Sequence, residues 1–323
     1  MRPASLEALR ECMEGAVPAT IATSSAAGEP NVAYLSQVEF VGPRTLALSF
    51  QFFNQTRRNV LANPSARLVI THPATGARYR LLIRYQSTQT SGPLFERMKA
   101  KLAGIASHTG MAGIFRLQGS DLYAVEEIER IAGEVLPAHA PGRSLLGATR
   151  ATIQRLGSHR EPGAAIECVL ACLAEEFELN HACILLLDPA RGGLVTAASM
   201  GYPHPGVGSE VAIGEGVVGV AARERTPIRI GHATTEYAYG RAVRESAERG
   251  GLEPEASIPP PGLPDARSQI AVPIEAFGEM IGVLFADSRE DLRFGWEEED
   301  ALVTVAAHLG AAIRLLRQEP PGR

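Results

Sequence analysis

The sequence predicts two α+β domains in tandem, each built on a largely antiparallel sheet. The 323 residues exceed the usual ~100 to 200 residues of one domain. Both halves alternate short segments rich in Val, Ile, Thr, Tyr and Phe with helical segments, and a Gly/Pro-rich stretch, LPAHAPGRS at 136–144, separates them. Hydrophobic residues make up 45% and charged residues 21%, so each half can form a core.

The composition argues against nucleic acids and membranes as partners. There are 31 Lys and Arg against 36 Asp and Glu, a net charge of −5, so the chain lacks the basic excess of a nucleic-acid-binding protein. No segment approaches the ~20 apolar residues of a membrane span, and the N-terminus has no signal-peptide pattern, which predicts a cytoplasmic protein without a membrane partner. Four cysteines are too few for a disulfide framework. Cys168 and Cys172 have helical spacing, which favours buried packing over a metal site.

The N-terminal half begins with a short amphipathic helix at 5–14. Three strands are expected next, then a helix halted by a proline, two more strands, a second helix and a final strand pair. In order these segments are ATIATSS, NVAYLSQVEFV, TLALSF, RRNVLANP, ARLVITHP, RYRLLIRYQST, LFERMKAKLAG and IFRLQGSDLYAVEEIERI.

The run LSFQFFNQTRRNVLANP at 48–64 resembles the pyridoxamine 5′-phosphate oxidase-like, FMN-binding split-barrel superfamily. The resemblance covers about 5–131 and implies a split β-barrel with flanking helices over 1–135. A dianionic phosphate needs hydroxyl or amide donors, cations and a helix N-terminus. The implied phosphate ligands are Asn54, Gln55, Thr56, Arg57 and Arg58, and Ser49, Phe50 and Gln51 are implied beside the flavin ring. The alternatives are a solvated helix start for the arginines and ordinary strand packing for 49–51.

The cofactor has alternatives too. Family members usually place a lysine in the phosphate cluster, where this sequence has threonine and arginine. Split barrels of this superfamily also hold deazaflavin or haem, so FMN is expected and these two remain open. His72 and His108 are the only histidines before the linker, and they are the candidate haem ligands, with a structural role as the alternative.

The C-terminal half predicts two helices, a set of strands and a last helix from about Glu297 to Leu316, whose apolar stripe could pair with the first helix in a homodimer. The predicted helices are SLLGATRATIQRL and PGAAIECVLACLAEEFEL, and the predicted strands are ACILLLD, LVTAASMGY, PIRI, QIAVPIEAFG and EMIGVLFADS. The interval 232–267 between two of these strands is far longer than a usual loop.

Three segments resemble a GAF domain: IGEGVVG at 213–219, SQIAVPIEAFGEMIGVLFADS at 268–288 and FGWEEEDALVTVAAHLGAAI at 294–313. The resemblance implies a linker at 136–143, an α/β GAF domain with a central antiparallel sheet at 144–317 and a tail at 318–323. Gly214, Gly216 and Gly219 permit a tight turn into a helix packed closely on the sheet.

In GAF domains the ligand lies over one sheet face beneath connecting segments, which here implies that 232–267 is a lid. His232, Tyr237, Tyr239 and Arg241 suit an anionic or planar small molecule, and a surface helix with tucked tyrosines is the alternative. Phe294 and the acidic run 297–300 resemble the end of the cyclic-nucleotide signature. However, residues 286–288 are Ala, Asp and Ser where Asn and Lys are expected, so the acidic run is interpreted as the first turn of the last helix. The absence of a lid cysteine argues against a bilin.

The sequence therefore predicts an FMN-dependent oxidoreductase-like homodimer whose GAF domain binds a small molecule or regulates or oligomerises the barrel. One alternative is a non-catalytic small-molecule or redox sensor that acts through a protein partner. A second is a haem-binding barrel. No residue can be given a proton-transfer role from the sequence.

Overall fold

The computed structural model describes residues 5–13, 15, 17–35, 37–50, 55–108, 117–136, 144–231 and 260–318. The chain forms two compact units, 1–102 with 114–141 and 103–113 with 142–323. Among the described helices, none has the length and apolar character needed to cross a membrane.

The first unit contains a seven-stranded antiparallel sheet in the order β2-β1-β5-β6-β7-β4-β3. Its strands are β1 Ala19–Ser24, β2 Pro30–Leu35, β3 Val38–Gly42, β4 Thr45–Phe50, β5 Ser65–Thr71, β6 Arg78–Gln89 and β7 Gly119–Arg130. Its helices are a 3-10 helix at Glu7–Met13, α1 at Gln55–Ala62 and α2 at Pro93–His108.

The chain connection between β2 and β3 requires this sheet to curl. The two strands lie at opposite edges of the sheet, yet Leu35 and Val38 are only three positions apart, a span of at most about 11 Å. The two edges must therefore approach each other, as in a barrel. Alternate residues point inward, for example Leu68 of β5 opposite Leu81 of β6, and both are fully buried.

Two expectations for this unit are wrong in detail. The predicted strand NVAYLSQVEFV is two strands, because its halves pair with β1 and β4 at opposite edges. Residues 119–130 form one long strand, β7, which pairs with β6 along its length and with β4 over its first half, while residues 114–116 of the other predicted strand lie outside the described residues. The predicted N-terminal helix is a 3-10 helix, with Leu9, Cys12 and Met13 buried.

The second unit contains a six-stranded antiparallel sheet in the order β10-β9-β8-β13-β12-β11. Its strands are β8 Ala182–Asp188, β9 Gly193–Met200, β10 Glu210–Ala212, β11 Ile228–Ile230, β12 Ser268–Ala276 and β13 Glu279–Ser288. Its helices are α3 Leu145–Leu156, α4 Pro162–Phe177, α5 Gly216–Glu224 and α6 Trp296–Gln318. The short strand β10 was not predicted.

The central hairpin and the glycine turn are confirmed. β12 and β13 pair from Ser268↔Ser288 to Ala276↔Glu279, joined by Phe277 and Gly278, both with positive φ, as two-residue hairpins prefer. Before α5, Gly214 has φ +92°, and a Cβ on Gly219 would lie 2.2 Å from the Ala212 carbonyl oxygen. Only glycine permits this approach.

Helices α3, α4 and α6 share one apolar core with strands β8, β12 and β13. Phe294 is 1% exposed and belongs to this core. Glu297, Glu298 and Glu299 lie in the first turn of α6, which confirms the predicted position of the acidic run and is where negative charge is favoured.

Candidate functional site

The barrel's candidate site lies where β4 ends and α1 begins. Ser49 and Phe50 are the last residues of β4, and Gln55 is the first of α1. The predicted ligands Gln51 and Asn54 fall outside the described residues. The structure therefore places six of the eight predicted cofactor residues on either side of one strand-to-helix junction.

Arg57 points into the barrel domain and is not part of a solvated helix start. It forms an ion pair with Asp121 of β7, and the two side chains are 13% and 8% exposed. Its second terminal nitrogen donates to Thr88 Oγ1 at 2.8 Å, and that hydroxyl donates to Asp121 Oδ1 at 2.6 Å. Above the guanidinium lie the rings of Phe50 and Tyr85, with centroids 4.6 and 5.5 Å from its central carbon. The cation is thus neutralised and desolvated.

Arg58 is different, because its side chain is exposed. Its guanidinium donates twice to Gln55 Oε1, at 2.7 and 3.2 Å, and none of the carboxylates described pairs with it. Thr56 Oγ1 accepts from Asn31 Nδ2 at 2.9 Å, which leaves the hydroxyl hydrogen available to a ligand. Thr56, Arg58 and the first N–H groups of α1 therefore form a set of anion donors.

A row of three polar side chains runs beside this junction, from Gln37, just before β3, to Ser49 on β4 and Ser120 on β7. The Ser49 amide donates to the Gln37 carbonyl at 3.2 Å, and Ser49 lies directly opposite Ser120 in the β4–β7 register. Gln37 Oε1, Ser49 Oγ and Ser120 Oγ are buried without a hydrogen-bond partner among the described residues. Each such atom costs about 1 to 3 kcal/mol. We call these three side chains the polar row.

The polar row was only partly predicted. Ser49 was expected beside the flavin ring, whereas Gln37 and Ser120 were missed. The single signal was a polar residue near one end of each strand, and it cannot be interpreted until the strand register is known. The row lies on the sheet face where Ala47 and Leu122 pack against α2, because opposite and alternate residues share a face.

His72 is engaged at both ring nitrogens. Nε2 lies 3.0 Å from Glu11 Oε2, and Nδ1 accepts from the Ala74 and Thr75 amides at 3.2 and 3.3 Å. These contacts hold the turn after β5, which supports the structural alternative for this residue. His108 ends α2, and its side chain is outside what the structure describes.

In the second unit the predicted ligand residues His232, Tyr237, Tyr239 and Arg241 all lie outside the described residues. The described end of the predicted lid, 260–267, is held by Asp287 at the end of β13. Asp287 is 3% exposed and accepts from the Leu263 amide at 2.8 Å and from the Tyr202 hydroxyl at 3.0 Å. Burial raises the pKa of Asp287, and the two hydrogen bonds oppose that shift. The sequence analysis did not predict this role for Asp287, which it considered only as part of the comparison with the cyclic-nucleotide signature.

The four cysteines are unpaired and buried, and for Cys168 and Cys172 this is the buried packing that their helical spacing predicted. Burial raises the pKa of Cys172 to about 11 and that of Cys12 to about 12, which makes both thiols poor nucleophiles. Among the side chains described, no group of three or more His, Cys, Asp or Glu residues could hold a metal ion.

Comparison with known families defines both units. Residues 5–126 match the family described as pyridoxamine 5′-phosphate oxidase, and residues 169–314 match the GAF domain family. The first unit is therefore a pyridoxamine 5′-phosphate oxidase-like domain. The chain as a whole is a fusion of that domain with a GAF domain. No curated protein matches it.

Several solved structures are similar to a part of this chain. The GAF domain of an Acinetobacter phosphoenolpyruvate-protein phosphotransferase is 21% identical, covering 55% of this chain and 97% of its own, with a TM-score of 0.43. Free methionine-R-sulfoxide reductase from Neisseria meningitidis, in complex with its substrate, is 21% identical, covering 56% of this chain and 99% of its own, with a TM-score of 0.43. An FMN-binding protein from Syntrophomonas wolfei is 18% identical, covering 40% of this chain and 92% of its own, with a TM-score of 0.31.

Proposed function

We propose that this protein binds FMN in its barrel domain and acts as an FMN-dependent oxidoreductase whose GAF domain binds a regulatory small molecule. The observation that carries the proposal is the junction of β4 and α1, where the polar row includes Ser49 of β4 and the anion donors begin α1, in a domain of the pyridoxamine 5′-phosphate oxidase family. This combination suits a ligand with a phosphate at one end and a flat polar ring at the other.

The residues present fit FMN. A phosphate monoester carries a charge of about −1.5 to −2 near neutral pH, and the Thr56 hydroxyl, the Arg58 guanidinium and the α1 amides are donors for it. Arg57 is already paired with Asp121, so it adds less net positive charge than Arg58 does. The hydroxyls of Ser49 and Ser120 and the amide oxygen of Gln37 match the carbonyl and N–H groups of an isoalloxazine edge. A deazaflavin would use the same donors.

When bound, a flavin supplies the two-electron redox chemistry, and the protein binds, orients and shields it. Here Thr56 and Arg58 would anchor the phosphate, and the polar row would orient the ring. No described residue is assigned a proton-transfer role.

We also propose that the protein is a cytoplasmic homodimer. Val32 and Tyr34 on the edge strand β2 are 66% and 79% exposed, and they project from one face of the barrel. In the GAF unit Leu146 of α3 is 83% exposed beside a shallow cavity of about 300 Å³ that Trp296 and Ala301 of α6 also line. Exposed apolar side chains of this size are typical of subunit interfaces.

The test is a spectrum of the purified protein, followed by mass analysis of what denaturation releases. Flavin absorbance, an FMN mass and a rise in melting temperature on FMN addition are expected. Two variants are compared. Arg58→Gln should weaken the binding of FMN more than that of riboflavin, and Arg150→Gln, at an exposed position on α3, should leave both affinities unchanged. A colourless protein whose melting temperature ignores FMN would favour the non-catalytic sensor, and a Soret band would favour haem.

A further inference from the structure

Arg57 already has an anionic partner inside the protein. Its ion pair with Asp121 is completed by Thr88, whose hydroxyl accepts from Arg57, donates to Asp121 and accepts from the Tyr85 hydroxyl at 2.7 Å. A threonine hydroxyl has one hydrogen and two lone pairs, so all three positions are used. The Thr88 hydroxyl is thus saturated, and the charge of Arg57 is already balanced by Asp121 when a second anion approaches.

The Arg57–Asp121 ion pair lies next to the proposed phosphate site in the chain. Arg57 is the third residue of α1, between Thr56 and Arg58, which are the phosphate donors of the proposed function. Asp121 directly follows Ser120 of the polar row. Because consecutive strand residues point to opposite faces, the Asp121 carboxylate lies on the other face of β7 from the Ser120 hydroxyl, on the side where Arg57 enters the barrel. It therefore holds the cation that lies between Thr56 and Arg58 in the chain.

We propose that Asp121 sets the cofactor specificity of the barrel by competing with a phosphate monoester for Arg57. This inference rests on the proposed function for the identity of the ligand, and Asp121 is a positioning residue that acts through Arg57. With Asp121 ionised, Arg57 is occupied and a nearby dianion also meets a like charge. The native protein therefore gains less binding free energy from a phosphate group than it would without the charge of Asp121.

Removing the charge of Asp121 should reverse this. Asparagine keeps the shape and can still accept from Thr88, but it leaves the Arg57 cation buried and unbalanced, which destabilises the free protein. A phosphate that pairs with Arg57 restores the balance. The substitution Asp121→Asn should thus lower the melting temperature of the free protein and increase the rise produced by a phosphorylated ligand.

The experiment compares FMN with riboflavin, which lacks the phosphate, by quenching of flavin fluorescence. The proteins are the full chain and its variants Asp121→Asn, Arg57→Gln and the double variant. The ratio of riboflavin Kd to FMN Kd should rise about tenfold in Asp121→Asn, the size of one charge-assisted hydrogen bond. In the Arg57→Gln background the same substitution should leave the ratio unchanged. An unchanged ratio in the single variant would overturn the proposal, because a purely structural aspartate affects both flavins equally.

A measurement with inorganic phosphate tests the competition for Arg57 independently of flavin binding. If no variant binds either flavin, the proposed function fails, and melting temperatures in phosphate against chloride at matched ionic strength decide the inference. A larger phosphate-induced rise in Asp121→Asn than in the native protein, absent from the double variant, would support competition for Arg57. Equal rises in all proteins would contradict it.

Discussion

The backbone amide of Leu263 donates a 2.8 Å hydrogen bond to the carboxylate of Asp287, 24 positions later in the chain. Leu263 is 6% exposed, and Asp287 also accepts from Tyr202. One buried carboxylate therefore ties the end of the long insertion to the last strand of the GAF sheet.

Replacing Asp287 with alanine should destabilise the GAF unit by about 2 to 4 kcal/mol, because two hydrogen bonds to a charged group are lost and a buried amide is left without a partner. Chemical denaturation monitored by the single tryptophan, Trp296, measures the change. Asp265→Ala is the matched control, since its ion pair with Arg289 is exposed and should contribute less than ~1 kcal/mol. Equal losses in the two variants would refute the role given to Asp287.

The raised pKa of Asp287 gives a pH dependence with a definite sign. Because the folded-state pKa lies above the ordinary value of 3.8, folding favours the protonated carboxyl, and this contribution is complete below 3.8 and lost as pH rises through the folded pKa. The free energy of unfolding of the native protein, relative to Asp287→Asn, should therefore fall as the pH rises above 3.8. A difference that grows with pH would mean that the hydrogen bonds outweigh burial.

The close approach at Gly219 predicts a steric effect. Alanine there would place a Cβ 2.2 Å from the Ala212 carbonyl oxygen, so the turn or α5 must move, at a cost of about 1 to 3 kcal/mol. Gly163→Ala in α4 is the control, because nothing lies within 4 Å of its Cβ position and alanine favours a helix. Thermal unfolding should show a lower melting temperature for the first variant and an equal or higher one for the second.

The polar row is expected to lower the stability of the flavin-free protein and to increase its affinity for flavin. Ser120→Ala removes a buried hydroxyl that has no partner among the described residues, so the flavin-free protein should be equally or more stable. Flavin affinity should fall about tenfold, and FMN and riboflavin should be affected alike because the change is distant from the phosphate. Ser24→Ala should behave in the opposite way, since its hydroxyl accepts from Asn63 at 2.9 Å: stability falls and flavin affinity does not.

The exposed face of β2 predicts an interface between copies of the chain. Tyr34→Lys should shift the native protein from dimer to monomer in sedimentation, because it places a charge in an apolar contact. Leu61→Lys changes a 58% exposed residue on α1 and should leave the dimer intact. A monomeric native protein, or a Tyr34→Lys variant that remains dimeric, would exclude this face as the interface.

The sequence by itself determined the two domains and their classes. The periodic segments, the run at 48–64 and the GAF-like segments are local patterns, and local patterns carry the information that fixes strands, helices and tight turns. The hairpin of β12 and β13, the turn at Gly214 and the first turn of α6 were therefore predictable.

Only the tertiary structure decided which side chains meet. The partner of Arg57 is Asp121, 64 positions away, and the polar row joins Gln37 to Ser120 through the register of three strands. Such pairs depend on sheet order and register, where a shift of one residue turns a side chain to the opposite face. For the same reason the sequence could place two arginines at the start of α1, but only the fold separated the buried, neutralised Arg57 from the exposed Arg58.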